Sequence, residues 1–328
     1  MKQASKASCL PDFILRICQE VKRDAGEDNY CYSFGRTAGF LAVFDGCGGL
    51  GAQRHAFYSN KTEAYMASRL AAGSFFDSFR ELFPYVGESN RMAEEFTQSA
   101  ALHCAQVLTA FRPQQSADAP QIKGSMVRTL PTTAASVLIQ RNAAGAYVLN
   151  PIWAGDSRAY VLLPEGLAQL TVDDTTVPEP MENLYEDGIL TNVLCEGRRP
   201  RLHLSEVTVS LPFLVLSATD GCFGYLSTPM EFEGMLLETL LASRSVAEWE
   251  ARLRERITLV AGDDVTLCMA GYGFSTFGQL QSVFVGRFEE LQRLYLTQLR
   301  NLPNTERDAR RSMWQHYRRQ YMRYLKEE

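Results

Sequence analysis

Four acidic motifs sit at the ends of apolar runs in this chain. Residues 40–44 (Phe-Leu-Ala-Val-Phe) run into Asp45-Gly46, and residues 147–153 run into Gly155-Asp156-Ser157-Arg158. Residues 213–217 lead to Thr219-Asp220-Gly221, and Gly262-Asp263-Asp264 stands directly before residues 265–269. A carboxylate just beyond an apolar strand is rigidly aimed and partly desolvated, so several of them converging would repel strongly unless a hard divalent cation neutralised them. The neighbouring glycines let a backbone carbonyl approach an ion closely. Carboxylates with few other ligands, leaving room for water, suit Mg²⁺ or Mn²⁺ best. Taken singly, each Asp-Gly reads as an ordinary turn, as does Asp187-Gly188 in a loop-rich stretch. Four in one context, joined by Arg23-Asp24-Ala25-Gly26-Glu27-Asp28 before a β-rich stretch, are harder to explain as turns.

The acid-tipped runs belong to a wider pattern. Residues 39–44, 134–140, 146–153, 159–163, 213–217 and 265–270 are short, apolar and rich in β-branched or aromatic side chains, and read as strands. Between the first two, residues 53–111 carry apolar residues at helical spacing and predict two amphipathic helices broken near 83–87. Residues 229–259 predict a further helical stretch. Residues 164–200, dense in Pro, Gly, Asp and Thr, read as an irregular insertion, and loops of that length are often functional.

From about residue 276 the pattern is helical to the terminus, dividing the chain into a body over 1–275 and a helical extension over 276–328. Phe284, Phe288, Leu291 and Tyr295 share one helical face, a break falls around Pro303, and Thr305 with Asp308 suggests a capping box. Trp314, Tyr317, Tyr321 and Tyr324 line up in the second helix. The simpler expectation is that this aromatic stripe packs on the body. The sharper one is a docking arm for a protein partner, with Arg310, Arg311, Arg318, Arg319 and Arg323 grouped around it.

Composition removes other classes. A formal net charge of −5 gives no basic excess for a nucleic-acid partner. No apolar run approaches a membrane span and the first 20 residues lack a signal-like core, so a cytoplasmic location is expected. The eight cysteines include no C-x-x-C pair and read as reduced thiols, and the four histidines lack zinc-site spacing.

In order and context, Arg23-x-x-x-Glu27-Asp28, Asp45-Gly46-Cys47-Gly48-Gly49, Pro131-Thr132-Thr133-Ala134, Gly155-Asp156-Ser157-Arg158, Leu170-Thr171-x-Asp173, Thr219-Asp220-Gly221 and Asp263-Asp264-Val265-Thr266 resemble the motif series of the PPM family, the PP2C-type serine/threonine phosphatases, in its bacterial form. The resemblance spans about residues 15–273. It implies an α+β fold, a central sandwich of two antiparallel β-sheets flanked by helix pairs, with two or three Mg²⁺ or Mn²⁺ ions at one end. The implied activity is hydrolysis of phosphoserine or phosphothreonine in a protein substrate, such as a Ser/Thr kinase or its target in signalling, by a metal-activated water.

Position by position, the resemblance makes Asp45 the bridge between the catalytic metals, with Gly46 lending its carbonyl. Asp220 and Asp263 complete one metal, Glu27 and Asp28 serve the other directly or through water, and Asp156 with Asp220 holds an additional ion. Arg23 matches the arginine that grips the substrate phosphate, a task suited to a planar fork. Residues 164–200 fall where the family has a variable flap and are expected to control access.

Three departures stand out. Cys47 lies where many eukaryotic relatives carry a histidine that protonates the leaving group, Asp174 follows Asp173 where histidine is usual, and Asp264 replaces a common asparagine. Rival readings remain. Gly46 to Gly51 also satisfies G-x-G-x-x-G, a dinucleotide fingerprint, although the region 20 residues on reads as helix and not as an acid-tipped strand. A phosphoprotein-binding module of the same fold would not need Asp45, Asp220 and Asp263. Thiol chemistry at Cys47 or Cys222 competes with the ordinary role of cysteine as a small hydrophobe.

Overall fold

A computed structural model describes residues 8–83, 91–111, 129–142, 144–186, 188–303 and 305–325. In chain order they form β1 (Phe13–Gln19), β2 (Asn29–Phe34), β3 (Ala38–Phe44), β4 (Arg54–His55), β5 (Lys61–Thr62), α1 (Glu63–Leu82) and α2 (Met92–Ala110). There follow β6 (Ala134–Arg141), β7 (Tyr147–Ala154), β8 (Arg158–Leu163), β9 (Gly166–Gln169), β10 (His203–Leu204), β11 (Val207–Val209) and β12 (Phe213–Ala218). The last part holds α3 (Pro229–Leu241), α4 (Val246–Thr258), β13 (Val265–Tyr272), α5 (Phe277–Leu291), a π-helical turn (Gln292–Leu296), α6 (Thr297–Asn301) and α7 (Arg307–Tyr321).

One sheet runs β1-β13-β12-β8-β9, the other β10-β7-β6-β3-β2 with β11 also on β7, and all the pairings are antiparallel. The central strands are apolar throughout because both of their faces are covered. In β3, Leu41 and Val43 point into the sandwich against Val161, Val215 and Ala270 of the other sheet. Phe40 and Phe44 point outward onto Phe75, Phe79 and Phe96 of α1 and α2. The opposite outer face, with Tyr160, Leu162, Leu214 and Leu216, is covered by α3 and α4. This is the expected α+β sandwich flanked by helix pairs.

Some local expectations change. Residues 53–62 form the β4–β5 hairpin around a 3₁₀ turn, and α1 begins only at Glu63, where Thr62 caps it by accepting from the Tyr65 N–H at 3.1 Å. Residues 229–259 split into two helices, because Ser245 caps α4 through the Glu248 N–H. Of the break expected near 83–87, residues 84–87 lie outside the described residues. The capping box at Thr305 does not form: Glu306 precedes α7 without a side-chain cap, and the Asp308 carboxylate faces solvent toward Arg311.

The C-terminal helices share the core of the α3–α4 face, since Phe284, Leu291, Leu296, Trp314, Tyr317 and Tyr321 are buried with Tyr160 and Phe232. A buried ion pair fastens them. Arg287 of α5 grips both oxygens of Glu233 on α3 at 2.7 and 2.9 Å, and the Tyr317 hydroxyl of α7 donates to the same carboxylate. Three arginines of α7 are engaged within the chain as well. Arg310 donates to the carbonyls of Leu302 and Pro303, Arg311 forks onto Glu182, and Arg318 lies 3.6 Å from Glu179, which also accepts from the Trp314 indole. Glu179 and Glu182, within the stretch read as an irregular insertion, are thereby tied to the C-terminal helix.

Removing one partner of a buried pair strands the other charge, so Glu233→Ala should cost about 3–5 kcal/mol. Urea unfolding checks this, and a loss below about 1 kcal/mol would show that the C-terminal helices are held by apolar packing alone.

Candidate active site

Strand register gathers the acids. Asn29 pairs with Phe44, Val43 with Ala135, and Ala134 with Ala154, so the start of β2 and the ends of β3 and β7 lie at the same end of one sheet. In the other sheet Ala218 stands opposite both Leu267 and Arg158, which brings the end of β12 beside the starts of β13 and β8. Glu27-Asp28, Asp45, Asp156, Asp220 and Asp263 are the residues next beyond these strand ends, on both sheets at one end of the sandwich.

Placed so, the carboxylates act on one another electrostatically. Burial raises the Asp45 carboxyl well above the usual carboxylate range, and the charges of Asp220, Asp28, Asp156 and Asp263 push it further. Burial likewise raises Asp28, with Asp220 adding to the effect and a hydrogen bond from Thr219 (2.8 Å) opposing it. Asp156 is pushed up to about 8 and Asp220 to about 6, in each case by burial first and a neighbouring carboxylate second. Burial also raises Glu27, against the hydrogen bond it accepts from Thr62. One oxygen of Asp156 is buried without a hydrogen-bond partner.

An all-oxygen donor set, mutually repelling and carrying an orphaned buried oxygen, fits a hard divalent cation. As the side chains stand, no three acids among the described residues close into a ligand cage.

The surrounding contacts hold the acids in place. Thr132 donates to the Asp45 carbonyl at 2.6 Å, the Thr133 N–H donates to the same oxygen, and Gly46 is buried in a bridge to Thr132. Gly221 has no room for a side chain, because a Cβ there would stand 1.9 Å from the Asp264 carbonyl oxygen. Arg158 grips Asp173 in a fully buried fork (2.7 to 3.1 Å), joining the turn of Asp156 to the start of the irregular segment.

Two departures from the family pattern prove to be structural. Asp264 uses both carboxylate oxygens, accepting from the Val21 N–H (2.9 Å) and the Glu27 N–H (2.7 Å), so it pins the loop that carries Glu27 and Asp28. Asp174 accepts from His203, Asn192 and the Gly155 N–H, and these bonds overcome burial and hold its carboxyl below the usual range.

Arg23 is placed differently from the acids. Its side chain is 96% exposed, with an ion pair to Asp24 at 3.7 Å. The cavity beside the acids, about 200 Å³, is lined instead by Lys22 and Arg54 together with Glu27, Gly262, Asp263 and Asp264. Arg54 reaches it from β4, a two-residue strand with no legible signal in the sequence.

The dinucleotide reading of 46–51 does not survive the topology. The β3 strand before it pairs only antiparallel, whereas that fingerprint works in a parallel βαβ unit.

No protein-family model and no curated protein matches the sequence. Solved structures do match in fold. The serine/threonine phosphatase Stp1 from Staphylococcus aureus is 16% identical with a TM-score of 0.58, over 84% of this chain and 100% of that one. The Mycobacterium tuberculosis serine/threonine phosphatase PstP/Ppp is 19% identical with a TM-score of 0.55, over 80% and 99%. The catalytic domain of PstP in complex with two manganese ions is 20% identical with a TM-score of 0.53, over 79% and 97%. The fold is therefore that of the bacterial PPM-type Ser/Thr phosphatases.

Asp264→Asn would set an NH₂ against one of two backbone donors. It should cost about 1–3 kcal/mol. A thermal or urea midpoint equal to that of the parent would mean that the loop before β2 is held by other contacts.

Proposed function

We propose that this protein is a metal-dependent phosphatase acting on phosphoserine or phosphothreonine in proteins. The observation that carries the reading is the gathering of Glu27, Asp28, Asp45, Asp156, Asp220 and Asp263 at one end of a sandwich of this fold, where Glu27 and Asp263 line a cavity that also presents Lys22 and Arg54.

Asp45, Asp220 and Asp263, with Glu27 and Asp28, would hold two Mg²⁺ or Mn²⁺ ions, and Asp156 with Asp220 a third. When bound, such ions neutralise the carboxylates, draw the phosphoryl oxygens and acidify water. The chain's own residues do the positioning. Thr219 orients Asp28, Asp264 fixes the loop of Glu27, and the backbone of Thr133 fixes Asp45. Lys22 and Arg54 offer positive charge to a phosphate monoester entering the cavity, and Arg23, on the same loop, has only an exposed ion pair to release before gripping it. Cys47 is a weak proton donor to a leaving alkoxide, which predicts slower turnover than in relatives with histidine there.

Purified protein should hydrolyse para-nitrophenyl phosphate and a phosphothreonine peptide with Mn²⁺ or Mg²⁺ and not in EDTA. Asp220→Ala should lower kcat/KM by at least about a hundredfold. A folded protein that binds Mn²⁺ and phosphopeptide without turnover would instead make this a phosphoprotein-binding member of the fold.

A further inference from the structure

A second cavity, about 220 Å³, lies next to the acid-lined one. The two share a wall. Tyr225 lines the second cavity and its ring lies directly on Gly262, which lines the first; a Cβ on Gly262 would stand 2.4 Å from that ring. A chain leaving the acid end past Gly262 therefore crosses Tyr225, which is half exposed, and enters this groove.

The floor of the groove is apolar, formed by Met235 of α3 with Leu296 and Leu299. It exists through two local features. The chain between α5 and α6 widens into a π-helical turn, closed by the Thr297 N–H on the Gln292 carbonyl, and such turns recur at functional sites. Gly234 lets this turn come close, since a Cβ there would stand 2.8 Å from Leu296 Cδ1. The C-terminal extension thus builds one wall, and α3 the other.

Two carboxylates and two guanidinium groups line the rim. Glu238 is paired with Arg300 at 3.2 Å, and Glu231 accepts from the neutral Thr228 hydroxyl. Arg256, exposed at the end of α4, has no carboxylate partner among the described residues.

We infer that this groove docks the stretch of a phosphoprotein substrate beside its phosphorylated residue, seating an apolar side chain on Met235, Leu296 and Leu299 and an acidic side chain at Arg256. The inference rests on the phosphatase reading and adds a substrate class to it: phosphoserine or phosphothreonine flanked by apolar and acidic residues. The occupant follows from the shared wall at Tyr225 and Gly262, because a polypeptide whose phosphate lies over the acids must run along one side of the site, and from the unpaired charge of Arg256. The long C-terminal helices are then a part of substrate selection as well as of the core.

The test uses the full chain with metal and three phosphothreonine peptides, carrying an apolar-acidic flank, an apolar-basic flank, or serines at both positions. Binding is followed by fluorescence anisotropy and hydrolysis by phosphate release. The parent should prefer the apolar-acidic peptide over the apolar-basic one by about fivefold, and Arg256→Glu should invert that order, as expected for an exposed ion pair. Tyr225→Ala should narrow the difference between the apolar-acidic and the serine peptide.

Equal binding of all three peptides by the parent, or an unchanged order in Arg256→Glu, overturns the proposal. So does a dimer in sedimentation that Arg256→Glu dissociates, which would give the groove to a second copy of the chain. Because binding is read separately from turnover, an inert protein that still inverts its peptide preference would remove the phosphatase reading and leave the groove as a docking site.

Discussion

Carboxylates brought together at the buried end of a sandwich oppose folding, and most of the local structure here serves to tolerate that. Each acid lies just beyond the end of a strand, so strand register sets where its backbone stands. The shifts of Asp45, Asp28, Asp156 and Asp220 are all upward, with burial the largest cause in each and neighbouring carboxylates adding to it. A divalent cation relieves both effects, since it replaces lost hydration and screens like charges. Were such an ion bound here, folding and metal affinity would be linked through this end of the molecule.

The hydrogen bonds around the acids show how repulsion is kept from distorting the sheets. Neutral donors such as Thr219, Thr62 and Thr132 satisfy an oxygen without adding charge. The charged partners stand one layer back, where Arg158 and Asp173 neutralise each other completely within the protein. Asp264 and Asp174 belong to this supporting layer too, Asp264 accepting two backbone N–H groups and Asp174 one. Residues that look like losses of a family motif are carboxylates given structural work.

The C-terminal helices extend the same logic to the far side of the α3–α4 face. Glu233, deep under that face, would be an unaffordable charge without Arg287, and the pair in turn needs the Tyr317 hydroxyl to complete its hydrogen bonds. From there α7 reaches Glu179 and Glu182, and Asn183 of the same turn donates to Asp173. A continuous set of polar contacts thus runs from the extension to the turn of Asp156.

The central strands and the acids at their ends were legible because a strand covered on both faces reads as an unbroken apolar run, and an acid after it is conspicuous. The edge strand β1 was not, since its exposure is mixed and its composition is ordinary, and β2 showed only as a β-rich stretch after Asp28. The split between α3 and α4 was hidden by helical periodicity that continues across Ala242 and Ser243. Lys22 and Arg54 carry no local signal at all; only the register of a tiny hairpin turns Arg54 toward Glu27 and Asp263. By itself the sequence determined which residues supply carboxylates and that these follow strands, because both are properties of neighbours along the chain. Tertiary structure alone decided which acids meet, which cations face them, and that the C-terminal helices border a groove beside the site, because those depend on strand register and helix packing between residues far apart in sequence.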